Sequence, residues 1–444
     1  MLKKLPIEEY GERRRRLMAQ LPADSVAIVP GARMMRRNRD VEYPFRQDSD
    51  FYYLTGFDEP DAVLVLLPGR EDGETLIFCQ DRDPEMEIWN GYRAGPEGVV
   101  ARYGADEAYP IAEIDTRLPP LLDGRKRICF GIGADAEFDG RVNGWLNAIR
   151  GKVRQGAQPP TELVLLDQWL HEMRLFKSAA EVDLMNAAGE ISARAHVRAM
   201  RQCRPGMTEF QLEAEISHYF ATHGCRQPAY ASIVGGGANA CVLHYTENRD
   251  ELRAGDLVLI DAGCELDYYA GDITRTFPVS GRFSPEQKAL YELVLKTQLA
   301  CIDLLRPGVL WNEAHDLSVK MLTEGLVELG LLAGEPDELI EKGAYRDFYM
   351  HRLGHWLGMD VHDVGDYRVN GEWRPLEPGM VMTVEPGLYI SPHNEAVEPR
   401  WRGIGIRIED DVLITEHGCE VLTAAVPKAV TEIETLMADA RQAG

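Results

Sequence analysis

The 444-residue sequence predicts two domains: a smaller α/β domain over residues 1–174 and a larger α+β domain over residues 175–444. Three observations carry this expectation. The length exceeds what one hydrophobic core usually supports. Residues 1 to about 170 alternate helical patterns with short apolar runs bounded by turn residues, as in Ala62-Val-Leu-Val-Leu-Leu-Pro-Gly and Thr75-Leu-Ile-Phe-Cys. Beyond that point two long helical patterns precede a series of strand-like runs, one of which occurs twice.

The first domain closes with the polar, Gly- and Pro-rich stretch Gly151-Lys-Val-Arg-Gln-Gly-Ala-Gln-Pro-Pro-Thr and one more strand, Leu163–Leu166, which puts the boundary near residue 174. Ser178–Gln202 then reads as a long amphipathic helix with Val182, Met185, Ile191 and Ala195 on its apolar face, and Thr208–His223 as a second helix. The repeated run follows: Leu252-Arg-Ala-Gly-Asp-Leu-Val-Leu-Ile-Asp261-Ala-Gly matches Leu376-Glu-Pro-Gly-Met-Val-Met-Thr-Val-Glu385-Pro-Gly at an offset of 124 residues. A duplicated strand unit places Asp261 and Glu385 at equivalent positions about an internal pseudo-twofold axis, so that two carboxylates face each other across one site. Chance similarity between two buried strands is the competing explanation.

Acidic residues outnumber basic ones 72 to 48, a formal charge of −24 that repels nucleic-acid phosphates and anionic lipid heads. No nucleic-acid or membrane partner is expected, although such charge often serves solubility alone. The eight cysteines, at 79, 129, 203, 225, 241, 264, 301 and 419, show no C-x-x-C pair and read as reduced, mostly buried thiols. The N-terminal stretch from Met1 lacks the apolar run of a signal peptide, and the longest aliphatic runs, such as Val63–Leu67, are too short to span a bilayer. A cytoplasmic location is expected.

The chemistry-bearing residues cluster in the second domain. Asp261 closes the apolar run Leu257–Ile260, and Asp272 opens Asp-Ile-Thr-Arg-Thr-Phe, where alternation puts Asp272, Thr274 and Thr276 on one face. His355 lies in Met350-His-Arg-Leu-Gly-His-Trp-Leu-Gly-Met-Asp-Val-His-Asp, Glu385 stops at a Pro-Gly break, and alternation puts Arg407 and Glu409 on one face. Four carboxylates and one histidine suit hard or borderline divalent ions such as Mn²⁺ or Co²⁺. Two such ions lower the pKa of a water and polarise a carbonyl, which is the chemistry of amide hydrolysis. Taken singly, each residue has a structural reading as well: an Asp after a strand is usually a turn or cap residue, and a His beside Trp is usually packed.

In combination these motifs resemble a known family, the pita-bread metallopeptidases of the bacterial Xaa-Pro aminopeptidase (aminopeptidase P) type. The resemblance runs from Asp50-Phe-Tyr-Tyr-Leu-Thr-Gly-Phe and Glu87-Ile-Trp-Asn-Gly to Gly403-Ile-Gly-Ile-Arg-Ile-Glu-Asp-Asp. It is most specific at His244-Tyr-Thr-Glu-Asn, Asp261-Ala-Gly, Tyr269-Ala-Gly-Asp-Ile-Thr-Arg-Thr-Phe, His355-Trp-Leu-Gly and Val384-Glu-Pro-Gly-Leu-Tyr. It implies a C-terminal pita-bread domain, a curved antiparallel sheet flanked by helices, that binds two divalent metals, most simply Mn²⁺, with Co²⁺ or Zn²⁺ possible. By resemblance Asp261 chelates one metal, His355 and Glu385 bind the other, and Asp272 and Glu409 bridge the pair together with a hydroxide. His244 and His362 correspond to substrate-contacting histidines, His351 lines the same pocket, Arg407 steadies a ligand such as Asp261, and Tyr389 adds a hydrogen bond. Trp89 of the first domain and Arg352 are further expected substrate contacts, Arg352 being a residue that narrows the pocket. The implied activity releases the N-terminal residue of peptides with proline second, and the implied assembly is a homotetramer or homodimer. For these outer residues the competing structural explanation is a satisfied core histidine or a surface arginine.

Other readings compete. Phe130-Gly-Ile-Gly-Ala-Asp-Ala mimics a dinucleotide-binding turn, but its third glycine is an alanine. Gly235-Gly-Gly-Ala-Asn lacks the Lys-Ser/Thr of a phosphate loop, and neither G-x-S-x-G nor H-E-x-x-H occurs. Within the same fold, prolidase uses an equivalent metal set on Xaa-Pro dipeptides, methionine aminopeptidase usually lacks so large a first domain, and a non-catalytic module would keep the fold without the metals.

Overall fold

The computed structural model describes residues 4–442; residues 1–3 and 443–444, the outer ends of the two expected domains, lie outside the described residues. The chain divides into two compact units, one spanning Leu5–Arg174 and the other formed mainly by the chain from Leu175 onward.

The first unit is a six-stranded mixed sheet in the spatial order Glu107–Pro110, Thr75–Cys79, Val63–Leu66, Ser25–Pro30, Arg127–Phe130, Glu162–Leu165. Val63–Leu66 runs antiparallel to both neighbours, and the outer pairings are parallel. Val63–Leu66 and Thr75–Cys79 are buried at every position, which is why they read as unbroken apolar runs without alternation. Val26, Ile28, Val65, Phe78 and Ile128 meet Leu118 of helix Ile114–Leu122 and Phe138 and Trp145 of helix Ala136–Arg150 in one core. The glycine-containing turn before that last helix holds a carboxylate of its own: Asp135 Oδ1 accepts from Glu137 N at 2.8 Å and Phe138 N at 3.2 Å. An aspartate seated on these amides fills the place a nucleotide phosphate would need.

In the second unit, helix Ala179–Gln202 starts from a reciprocal cap in which Glu181 accepts from Ser178 N at 2.9 Å and Ser178 Oγ accepts from Glu181 N at 3.4 Å. Of the four apolar positions expected to face the core, Met185 and Ala195 are buried, whereas Val182 and Ile191 are only half-buried. The buried face also includes Leu184, Ala188, Gly189, Ser192, His196, Ala199 and Met200. Close approach explains the glycine in that face, because a Cβ on Gly189 would stand 2.9 Å from the Leu422 carbonyl oxygen.

The unit is built from two similar halves. Helices Ala179–Gln202 and Glu209–Thr222 precede an antiparallel sheet with Leu257–Asp261 at its centre, between Ile233–Gly236 and Thr274–Pro278. Helices Pro285–Leu304 and Trp311–Glu328 precede Val381–Val384, which pairs with Asp410–Thr415 and bridges to Trp356 through Met382. The two copies of the repeated run therefore occupy the centre of each half. Gly387–Ile390 and Ile404–Arg407 form a further antiparallel pair, and Glu409 N donates to the Thr274 carbonyl at 3.1 Å, joining the halves at their strand ends. Among the described residues no helix is long and apolar enough to cross a membrane, and all eight cysteines are free thiols, six of them buried.

Candidate metal centre

The chemistry collects where the strands of both halves end. Asp261 is the last residue of its strand and lies opposite Thr274 and Ile233, while Asp272 sits two residues before the strand Thr274–Pro278. Glu385 directly follows Val384, Glu409 directly precedes Asp410, and the coil bearing His355 is pinned by donation from its backbone N to Thr383 Oγ1 at 3.0 Å. All five side chains line one cavity of about 730 Å³ together with His244, His351, His362, Arg352, Arg407 and Tyr230.

His355 Nε2 stands 3.6 Å from Asp272 Oδ2 and 3.5 Å from Glu385 Oε1, and one ligand atom each from Asp272, His355 and Glu409 falls within 4.8 Å of the others. These separations suit donors gathered around an ion between them. The electrostatics give the same answer. Burial holds the Asp272 carboxyl well above the usual range, with the charges of Asp261 and Asp411 adding to the effect. Burial likewise pushes Glu385 up to about 8, and it raises Glu409 strongly with help from Asp272 and Glu385. Of the four acids Asp261 is the one hydrogen-bonded to a guanidinium, that of Arg407, so ionisation of the whole buried set is favoured by cations among the oxygens. An oxygen-rich set completed by a single imidazole fits divalent metal ions. His355 is ready for such a role: burial and the neighbouring His362 hold its pKa down to about 4, and its Nδ1 lies 2.9 Å from the Trp356 carbonyl. The proton is thereby assigned to Nδ1, which leaves the Nε2 lone pair toward the carboxylates.

A hydrogen-bonded chain surrounds this cluster. Arg407 Nη2 donates to Asp261 Oδ2 at 2.6 Å and Nη1 to the Tyr389 hydroxyl at 3.0 Å, which in turn lies 2.9 Å from His351 Nε2. Thr274 Oγ1 donates to Glu409 Oε2 at 2.5 Å, and Thr276 Oγ1 accepts from Arg407 N at 3.2 Å. The His362 ring packs edge-on against His355, with centroids 4.2 Å apart, and burial together with the nearby His244 lowers its pKa. Arg352 is exposed at the rim with its guanidinium 5.7 Å from the Trp373 ring. Trp89 belongs to the first unit, on helix Pro84–Asn90, and is 82% exposed there.

Two residues escaped the sequence reading. The Tyr230 hydroxyl donates to Asp261 Oδ1 at 2.5 Å and also contacts Asp272 Oδ1, so one phenol joins two candidate ligands. Asp411 Oδ2 accepts from Asp272 N at 3.0 Å and fixes that residue's backbone. Tyr230 stands alone in Pro228-Ala-Tyr-Ala-Ser, with no spacing to mark it, whereas the Glu-Asp-Asp run did display Asp411 beside Glu409.

Comparisons with known proteins agree with this geometry. Residues 183–416 match metallopeptidase family M24, and residues 10–130 match the aminopeptidase P N-terminal domain. The Xaa-Pro aminopeptidase of Escherichia coli is 49% identical over 436 residues, 98% of each chain. Among solved structures, Pseudomonas aeruginosa aminopeptidase PepP is 60% identical with a TM-score of 0.98 over 100% of both chains. Zinc-substituted Escherichia coli aminopeptidase P in complex with product is 49% identical with a TM-score of 0.96, covering 99% of this chain and 100% of that one. With its metal-ligating residue types gathered at the strand ends of a duplicated fold, the chain belongs to metallopeptidase family M24 and carries the aminopeptidase P N-terminal domain ahead of the catalytic one.

Proposed function

We propose that the centre cleaves the bond between an N-terminal residue and a following proline, and that Asp261, Asp272, His355, Glu385 and Glu409 are the residues that would hold its two divalent metals. The observation that carries this reading is that all five side chains, two from one half of the unit and three from the other, line a single cavity with three further histidines. Relatives matched over nearly their full length are Xaa-Pro aminopeptidases. Divalent metals bound there supply an acidified water and polarise the scissile carbonyl. The protein's own groups do the rest. His362 and His244 donate to the oxyanion that develops from the carbonyl, and Glu385 carries the proton from the attacking water to the departing proline nitrogen. Arg407 holds Asp261 in place, and Tyr389 links Arg407 to His351 at the cavity wall. Mn²⁺ is the proposed native metal, with Co²⁺ or Zn²⁺ able to occupy the same oxygen-rich set. The −24 charge supports short peptides as substrates without nucleic-acid or membrane partners, and a cytoplasmic homotetramer or homodimer is proposed on the family resemblance.

Chelation is expected to abolish turnover and added Mn²⁺ or Co²⁺ to restore it. Full activity in protein shown by elemental analysis to be metal-free would exclude the metal mechanism, and would leave the non-catalytic module excluded as well. Against prolidase, Ala-Pro-Ala is expected to be cleaved faster than Ala-Pro at equal metal loading. A dipeptide places its carboxylate just past the proline ring, where a prolidase needs a fixed cation. Arg352, exposed at the rim and packed toward Trp373, leaves an open path there. A higher kcat/KM for the dipeptide, lost in Arg352→Gly, would favour prolidase instead.

A further inference from the structure

A second cavity of about 450 Å³ opens beside the metal-lined one, and His351 and Arg352 line both. His351 Nδ1 is 3.8 Å from Glu385 Oε2, so the side cavity begins next to a metal-centre carboxylate. Its wall also carries His315, Asp316, Arg346 and Tyr349. Neither Arg346 nor Arg352 is within ion-pair distance of a carboxylate among the described residues, although the chain carries 72 acidic side chains. The carboxylate on this wall, Asp316, is engaged elsewhere, its Oδ2 accepting from Asn312 Nδ2 at 2.8 Å. His315 Nδ1 is buried with no hydrogen-bond partner among the described residues. The field of both guanidiniums reaches it and, after burial, helps hold its pKa down to about 4. Two uncompensated cations and an unused polar atom around a concavity make a receptor for an anion of modest size.

We infer that this side cavity is a carboxylate-recognising subsite, in which Arg346 and Arg352 engage the C-terminal carboxylate of a short peptide whose Xaa-Pro bond lies at the metal centre. The inference rests on the aminopeptidase reading above and narrows its substrate class to tripeptides and tetrapeptides with free C-termini. Chain reach agrees: one or two residues beyond proline extend about 3.3–3.6 Å each, and an arginine side chain covers the remainder. An acidic side chain just after proline presents the same chemistry and is the alternative source of the carboxylate.

The test compares kcat/KM for Ala-Pro-Ala, Ala-Pro-Ala-amide, Ala-Pro-Glu-amide and Ala-Pro-Gln-amide in the metal-loaded wild type, Arg346→Gln and Arg352→Gln. The free acid is expected to exceed its amide by roughly fivefold, as partly solvated ion pairs do. That ratio should fall toward one in either variant and with rising salt, and it should appear mainly in KM. A preference for Ala-Pro-Glu-amide over Ala-Pro-Gln-amide without one for the free acid would replace the C-terminal carboxylate by a side chain. Equal rates for all four peptides, or an acid preference unchanged in both variants, would overturn the subsite while leaving Xaa-Pro cleavage standing. No cleavage of any of the four would strike the aminopeptidase reading itself. Both arginines are exposed, so folding of the variants is secure and is checked by Tm.

Discussion

Replacing Asp272 by alanine is expected to lower turnover by about 10³-fold or more, since the Lewis-acid contribution lost with a metal is worth several kcal/mol. Asp272 sits where the two halves of the catalytic unit meet, 3.6 Å from His355 Nε2 and in the tightest group of ligand atoms, with Glu409. Removing it leaves Glu409 and Glu385 facing one another with one oxygen pair fewer to share an ion. Metal content should therefore fall with the rate, while the helices and strands, held by their own backbone bonds, persist. Elemental analysis of the purified variant beside its steady-state rate is the measurement. Two ions retained per chain would remove Asp272 from the ligand set.

His362→Ala is expected to behave in the opposite way with respect to metal. The ring packs on His355 at 4.2 Å between centroids and lines the cavity beside the five candidate ligands, at a position that the family resemblance gives to a substrate contact. Deleting it should leave metal content unchanged and cost about 10²- to 10³-fold in rate, the usual effect of losing one oxyanion donor. The loss should fall on kcat and kcat/KM together, because the hydrogen bond is made in the transition state. If the variant loses metal, His362 is itself a ligand and the division between metal-holding and substrate-holding histidines must be redrawn.

Much of this architecture was legible in the sequence, for reasons tied to particular residues. Val63–Leu66 and Thr75–Cys79 are strands buried on both faces, and unbroken apolar runs advertise that condition. Helix Ala179–Gln202 was legible from its amphipathic pattern starting at Ser178, but of its four expected apolar positions only Met185 and Ala195 are buried. Apolar periodicity points to the bulkiest residues, while at Gly189 an added Cβ would stand 2.9 Å from the Leu422 carbonyl oxygen, so the helix presents a glycine there. At the site, the carboxylates stood out as a set and not singly, since an Asp after a strand is usually a turn or cap residue and only four acids together with one histidine suggest divalent ions. Tyr230 did not stand out. A tyrosine before a strand is ordinary, and only three-dimensional convergence brings its hydroxyl onto Asp261 and Asp272. Arg352 was visible as an odd neighbour of His351, but whether its guanidinium turns inward or toward Trp373 depends on a rotamer that sequence does not encode.

The division of the site between two strand repeats makes metal binding and folding a single thermodynamic problem. Asp261 and Asp272 come from the first repeat and His355, Glu385 and Glu409 from the second, so an ion touching both sets is a cross-link between them. Its affinity is then partly the affinity of one repeat for the other, and chelation should weaken their association as well as the chemistry. At a free-ion level about 1,000 times Kd, linkage gives roughly 4 kcal/mol of stabilisation. Thermal unfolding followed against Mn²⁺ concentration should show Tm climbing steadily well past stoichiometric loading. A Tm indifferent to the ion would mean that the protein's own bonds between the repeats, such as Arg407 to Asp261 and Thr274 to Glu409, hold them together, and that the ions are guests in a site already built.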